Sequence, residues 1–190
     1  MTRFTRWLPV LMAILILPAC AGIQKRSAEK ALTETETAYA KLAEQARNVA
    51  PEQAQEIEAG IAAAKANLAK GDAQSVLTAA KELSEQIKTL AEALPGLQTK
   101  LQDDWNDLAK SVPGAIASLK NKLDDFGRPP AGMPGRARFD STAARAAPLG
   151  QRWEEAKSLF ASGKLARAVA LAQAVRDEAV KWITEMQTGS

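Results

Sequence analysis

One cysteine, no histidine and two knots of aspartate are the residues of this 190-residue chain best suited to chemistry. Cys20 closes the apolar run "ILILPACAG", Ile14 to Gly22. A lone thiol can be acylated or alkylated, but it cannot close a disulfide within its own chain. Without histidine, the commonest general base and the commonest metal ligand are both missing. Asp103, Asp104 and Asp107, and the pair Asp124 and Asp125, are the densest carboxylates. Paired acids can move protons or hold a divalent cation. No glycine-bearing calcium loop surrounds either set, and Asp103 and Asp107 are one helical turn apart on a polar face. They read as a solvated helix face. The chain also lacks a phosphate-binding glycine loop, a G-x-S-x-G elbow and a C-x-x-C pair. The expectation is therefore a protein with no catalytic residues, no metal and no cofactor.

Other side chains could bind rather than react. Trp153 falls on a stripe with Ala156 and Phe160, and Trp182 on one with Ala179 and Met186. These two, with Trp105, are expected in a core or helix seam rather than in a ligand cage. Arg128, Arg136 and Arg138 lie in the most basic stretch, with Arg145 and Arg152 following. Two readings stay open for them: a contact surface for anionic lipid or an acidic partner, or a solvated, flexible loop.

The context of Cys20 is sharper. Arg3 and Arg6 are the only charges before Lys25, and Leu8 to Cys20 is an uncharged apolar core of 13 residues. That is too short for a bilayer-crossing helix, which needs about 20 residues. A cationic start, a short apolar core and a small residue at its end make a secretory leader. Leu17-Pro18-Ala19-Cys20 resembles the lipobox of bacterial lipoproteins, with Pro18 a less usual residue at the tolerant position. The resemblance implies cleavage between Ala19 and Cys20, a diacylglycerol thioether on Cys20, and N-acylation of the new terminus. Two or more chains make such an anchor stable. By the same resemblance, Ala21 in place of Asp favours the outer membrane of a Gram-negative bacterium, facing the periplasm. Removing residues 1–19 leaves 171 residues with 23 basic and 22 acidic side chains. The high isoelectric point thus owes much to the leader and is no nucleic-acid signal.

The elements that must carry these residues are helices. Ala28, Leu32, Thr35, Tyr39, Leu42, Ala46 and Val49 recur in steps of three and four. So do Ala54 to Leu68, Val76 to Leu94, and Ile116 to Phe126. Ser27 is the expected N-cap of the first helix. Gly71-Asp72 reads as a stop followed by a cap, and Pro95-Gly96 and Pro113-Gly114 as breaks. Pro148 predicts a kink or split. The organisation expected is a leader over 1–19, a lipidated cysteine and tether over 20–27, and a helical part over 28–126. A Pro/Gly/Arg-rich linker over 127–139 and a helical hairpin over 140–190 complete it. Fully extended, the tether would reach about 25 Å. The fold class is all-α: an antiparallel bundle of long hairpins, five to seven helices in all, with coiled-coil-like seams.

An internal echo supports the hairpins. At an offset of 92, Ala64-Lys65 meets Ala156-Lys157, Gly71 meets Gly163, and Ala80 meets Ala172. The pattern resembles the helical hairpin of tetratricopeptide-type repeats, with Ala156, Gly163 and Ala168 at matching spacings. It departs from that family in helix length, in the missing terminal proline and in the separation of the copies. Any antiparallel pair also wants small residues and a glycine turn. The function expected is a membrane-anchored, non-catalytic interaction or scaffold module for another envelope protein. A carrier of small ligand or lipid, using an apolar cavity between helices, is the alternative.

Overall fold

An apolar stripe that keeps its phase through two prolines shapes the fold. The computed structural model describes residues 17–129, 131–133 and 135–188, with side chains from 22 to 187 within those ranges. The leader up to residue 16, and the side chains of Ala19 and Cys20, lie outside the described residues. Among the described residues seven helices follow in order: α1 (Leu17–Ala40), α2 (Ala43–Val49), α3 (Pro51–Ala69), α4 (Ala73–Phe126), α5 (Arg136–Ala146), α6 (Leu149–Ala161) and α7 (Leu165–Thr188). No strand occurs among the described residues, and the chain is an all-α helical bundle. Its residues fall into two compact units: Met1–Ala46 with Glu52–Ala93, and Arg47–Pro51 with Leu94–Ser190.

Three boundaries differ from the sequence expectation. First, Ser27 is not an N-cap, because α1 already runs from Leu17. Residues 23–30 contain neither glycine nor proline, and Lys25–Glu29 and Lys30–Glu34 form i,i+4 ion pairs at 3.9 and 3.8 Å that suit a helix. The segment 20–27 is therefore a stalk spanning about 10 Å rather than an extended tether. Second, Pro95-Gly96 and Pro113-Gly114 do not break the chain, since both prolines sit inside α4. The carbonyls that lose a partner belong to Ala91 and Ala109; these residues and both prolines are exposed, so water can take the missing bond. Meanwhile Leu90, Leu94, Trp105, Leu108, Val112 and Leu119 stay buried in one unbroken register. Third, α5 begins at Arg136, so the loop ends four residues before the expected boundary at 139. The split at Pro148 appears as expected, separating α5 from α6.

In the first unit Ala28, Leu32, Ala64 and Val76 form a cluster backed by Leu68 and Leu77. Thr35, 1% exposed, donates its hydroxyl to the carbonyl of Ala31 at 2.9 Å or of Ala80 at 3.3 Å, and meets the Ser84 hydroxyl at 3.2 Å. Gly60 lets α3 approach α4: a Cβ there would lie 2.7 Å from Leu83 Cδ2. In the second unit Trp105 stacks on Trp153 and Phe160, with ring centroids 5.4 and 4.3 Å apart. Around them pack Leu108, Val112, Leu119, Leu149 and the alanine stripe of α7.

The echo at offset 92 extends to backbone detail. Gly71 and Gly163 take φ of 81° and 78°, a conformation glycine adopts at little cost. Gly71 N–H donates to Leu68 and Asp72 N–H to Asn67; Gly163 N–H donates to Phe160 and Lys164 N–H to Leu159. Both turns are the same helix-ending motif. The preceding helices are related too, at an offset of 77: Thr35 with Val112, Tyr39 with Ile116, Leu42 with Leu119. Ala28 packs together with Leu68, 40 residues downstream. Trp105 packs together with Phe160, 55 residues downstream. The second separation is 15 longer, the difference between the two offsets. The two offsets relate the units in sequence, with 15 additional residues in the second where the Pro/Gly/Arg loop lies.

Candidate functional site

Of the two sites read from the sequence, the anchor and the basic loop, only the loop has described side chains. The backbone of Cys20 lies in the first turns of α1, four residues ahead of Gln24. From there α1 leads directly to Ala28, the first buried residue of the first unit. A group attached at Cys20 would thus be joined to the core through helix rather than through slack chain.

The loop is organised by one carboxylate. Arg136 Nε donates to Asp140 Oδ2 at 2.7 Å, and its Nη1 donates to the Pro129 carbonyl at 2.6 Å. Arg128 Nε reaches Asp140 Oδ1 at 3.1 Å. Two of the three arginines expected to form a basic surface are therefore held by Asp140, and Arg136 is half-buried. Arg138 is exposed. Asp140 offsets only one of the three positive charges, so the loop stays cationic while two of its arginines are clasped by one carboxylate. The signal was in the sequence: Arg136 and Asp140 stand at i,i+4 once α5 starts at Arg136.

Hydrogen bonding from Arg136 holds the Asp140 carboxyl below its usual range; desolvation opposes it in part, and the Arg128 hydrogen bond adds a smaller lowering. A lowered native pKa means that the clasp is complete above the ordinary carboxylate value and is lost as pH falls through the lowered one. Limited proteolysis at residues 127–135 is accordingly expected to stay slow at pH 5 and to accelerate in strong acid. Asp140→Asn should give fast cleavage already at neutral pH. Equal cleavage of the two proteins at pH 7 would rule the clasp out.

The other candidates sit as follows. Asp103, Asp107, Asp124 and Asp125 are exposed and Asp104 is partly so. Lys100 pairs with Asp104 at 3.0 Å and Lys110 with Asp107 at 3.5 Å. Among the described residues no group of three or more acids, cysteines or histidines could hold a metal ion. Trp105, Trp153 and Trp182 are buried in the second unit, as expected. Arg145 lies over the Trp182 ring at 5.0 Å and Lys181 at 5.2 Å, while Arg152 pairs with Glu178.

What the sequence reading did not locate is an apolar cleft of about 390 Å³ in the second unit, between α4, α5 and α6. Ile116, Leu119, Leu123, Phe139, Ala146 and Gly150 line it, with Lys120 and Asp124 at its edge. Phe126 and Met133 are exposed apolar side chains, 51% and 57% exposed.

Compared with models of known protein families, with curated proteins and with solved structures, the chain matches none.

Proposed function

We propose that this chain is a bacterial lipoprotein, anchored through Cys20 in the outer membrane, whose helical domain is a non-catalytic interaction module of the cell envelope. The observation that carries the reading is Leu17-Pro18-Ala19-Cys20 at the end of a cationic, short-cored leader. The helical stalk supports it, because it would keep the bundle within about 10 Å of the bilayer surface. The interaction role rests on the helical-hairpin architecture, whose paired faces offer grooves to a partner helix or peptide. The tetratricopeptide-like turn at Gly71 and Gly163 belongs to the same proposal.

In-cell cross-linking of the native protein tests the role. A discrete envelope protein is expected to be captured with the native chain, and its yield should fall by at least about tenfold with Cys20→Ser, which loses the local concentration that the anchor provides. Capture at equal yield by both would contradict an anchored module. The carrier reading is favoured by one specific observation, the apolar cleft of the second unit.

A further inference from the structure

The two units differ most where the first places a tyrosine. In the first unit Tyr39, 5% exposed, lies between α1 and α3. Its hydroxyl donates to the carbonyl of Ala54 at 3.2 Å or to Glu58 Oε1 at 2.8 Å. The phenol ring closes the space between the two helices, and its polar end is satisfied by a carbonyl and a carboxylate.

In the second unit the counterpart of Tyr39 is Ile116, at the 77-residue offset. The counterparts of Ala54 and Glu58 are Ala146 and Gly150, at the 92-residue offset. All three line the apolar cleft. A six-membered ring has become a branched aliphatic side chain, and a carboxylate arm has become a hydrogen. Gly150 is exposed and a Cβ built there would meet nothing within 4 Å, so the cleft opens to solvent on that side. At about 390 Å³ the cleft falls within the range of small-molecule sites, about 300–1,000 Å³. Its edge carries one cation and one anion, Lys120 and Asp124, which selects for neither sign.

We infer that this cleft binds a small, neutral, hydroxyl-bearing aromatic molecule, whose ring lies against Ile116, the counterpart of Tyr39, and extends the apolar body that the tyrosine ring supplies in the first unit. The first unit supplies the template for the occupant. A flat apolar body is buried between α1 and α3, and one hydroxyl is directed at the carbonyl of residue 54 or, here, 146. Phe139, brought in by the insertion that only the second unit has, adds an aromatic wall. The site is independent of the anchor at Cys20, and its failure would leave the lipoprotein reading untouched.

The probe is 2-naphthol, which carries a hydroxyl on a two-ring apolar body and is fluorescent. The purified full chain is expected to bind it saturably, and naphthalene, lacking the hydroxyl, at least about fivefold more weakly, as a lost buried hydrogen bond would give. Ile116→Tyr combined with Gly150→Glu rebuilds the first unit's pair in the second. This variant should bind 2-naphthol at least about tenfold more weakly while melting at a higher temperature. Gly150→Leu alone fills the same space and should also weaken binding, which keeps the test open if the double variant folds poorly. No saturable binding to the parent chain would overturn the inference. So would undiminished binding to Gly150→Leu, which would place the probe elsewhere.

Discussion

Trp105→Ala is expected to remove a large part of the second unit's stability. Trp105 is 7% exposed and stacks on two partners, Trp153 and Phe160, at 5.4 and 4.3 Å. Truncating a buried Trp costs about 3–5 kcal/mol through lost burial and the cavity left behind. Each aromatic pair adds about 0.5–1.5 kcal/mol beyond area. Whole domains are stable by only about 5–15 kcal/mol, so the loss should be about a fifth of the total or more. Tryptophan fluorescence is the natural readout, since Trp105, Trp153 and Trp182 all belong to this unit. The urea midpoint should fall well below that of the parent. Trp105→Phe, which keeps one ring in the stack, should lie between the two. Val180→Ala, at a side chain 50% exposed, should stay within about 0.5 kcal/mol of the parent. A midpoint for Trp105→Ala equal to that of Val180→Ala would mean that the stack does not hold this core.

The second large effect runs the other way. Pro113→Ala, and separately Pro95→Ala, should stabilise the chain. Proline inside a helix costs about 3 kcal/mol relative to alanine, through the missing N–H and the clash with the preceding turn. Here part of that cost is already relieved, because Ala91 and Ala109 can give their carbonyls to water. Alanine also frees the unfolded chain, which offsets about 0.4–1 kcal/mol of the gain. A net stabilisation of about 1–2 kcal/mol per site remains, readable as a higher melting temperature with unchanged helix signal. A lower melting temperature would indicate that the prolines set a bend that the packing of Leu94 or Val112 requires.

These prolines also mark where sequence reading fell short. Pro-Gly pairs are strong local stop signals, which is why Pro95-Gly96 and Pro113-Gly114 read as breaks. Leu90, Leu94, Trp105, Leu108 and Val112 carry the opposing signal, since their spacing keeps one phase through Pro95 and up to Pro113. Burial along 54 residues outweighs two local penalties. The hairpins, by contrast, were legible in detail. Ala64 and Ala156, Gly71 and Gly163, and Ala80 and Ala172 occupy equivalent places, down to the hydrogen bonds of the two turns. The repeat of the first helix was not legible. Ala28 answers to Trp105 and Tyr39 to Ile116, so residue identity is lost, and a 15-residue insertion shifts the offset. Only the separation of residues that pack together, Ala28 with Leu68 against Trp105 with Phe160, recovers it. The same substitution that hid the repeat opened the cleft. The arginines of the loop illustrate a different limit. Charge could be counted from the sequence, but whether Arg128 and Arg136 face solvent depended on where Asp140 would stand.

The proposed function rests most heavily on Cys20, and intact-mass analysis of the protein recovered from cells addresses it directly. The expected result is a chain beginning at Cys20 and carrying the added mass of a diacylglycerol thioether and an N-acyl group. Cys20→Ser should abolish both the cleavage and the added mass. A chain still beginning at Met1 with an unmodified Cys20, or one cut elsewhere without lipid, would contradict the lipoprotein reading outright.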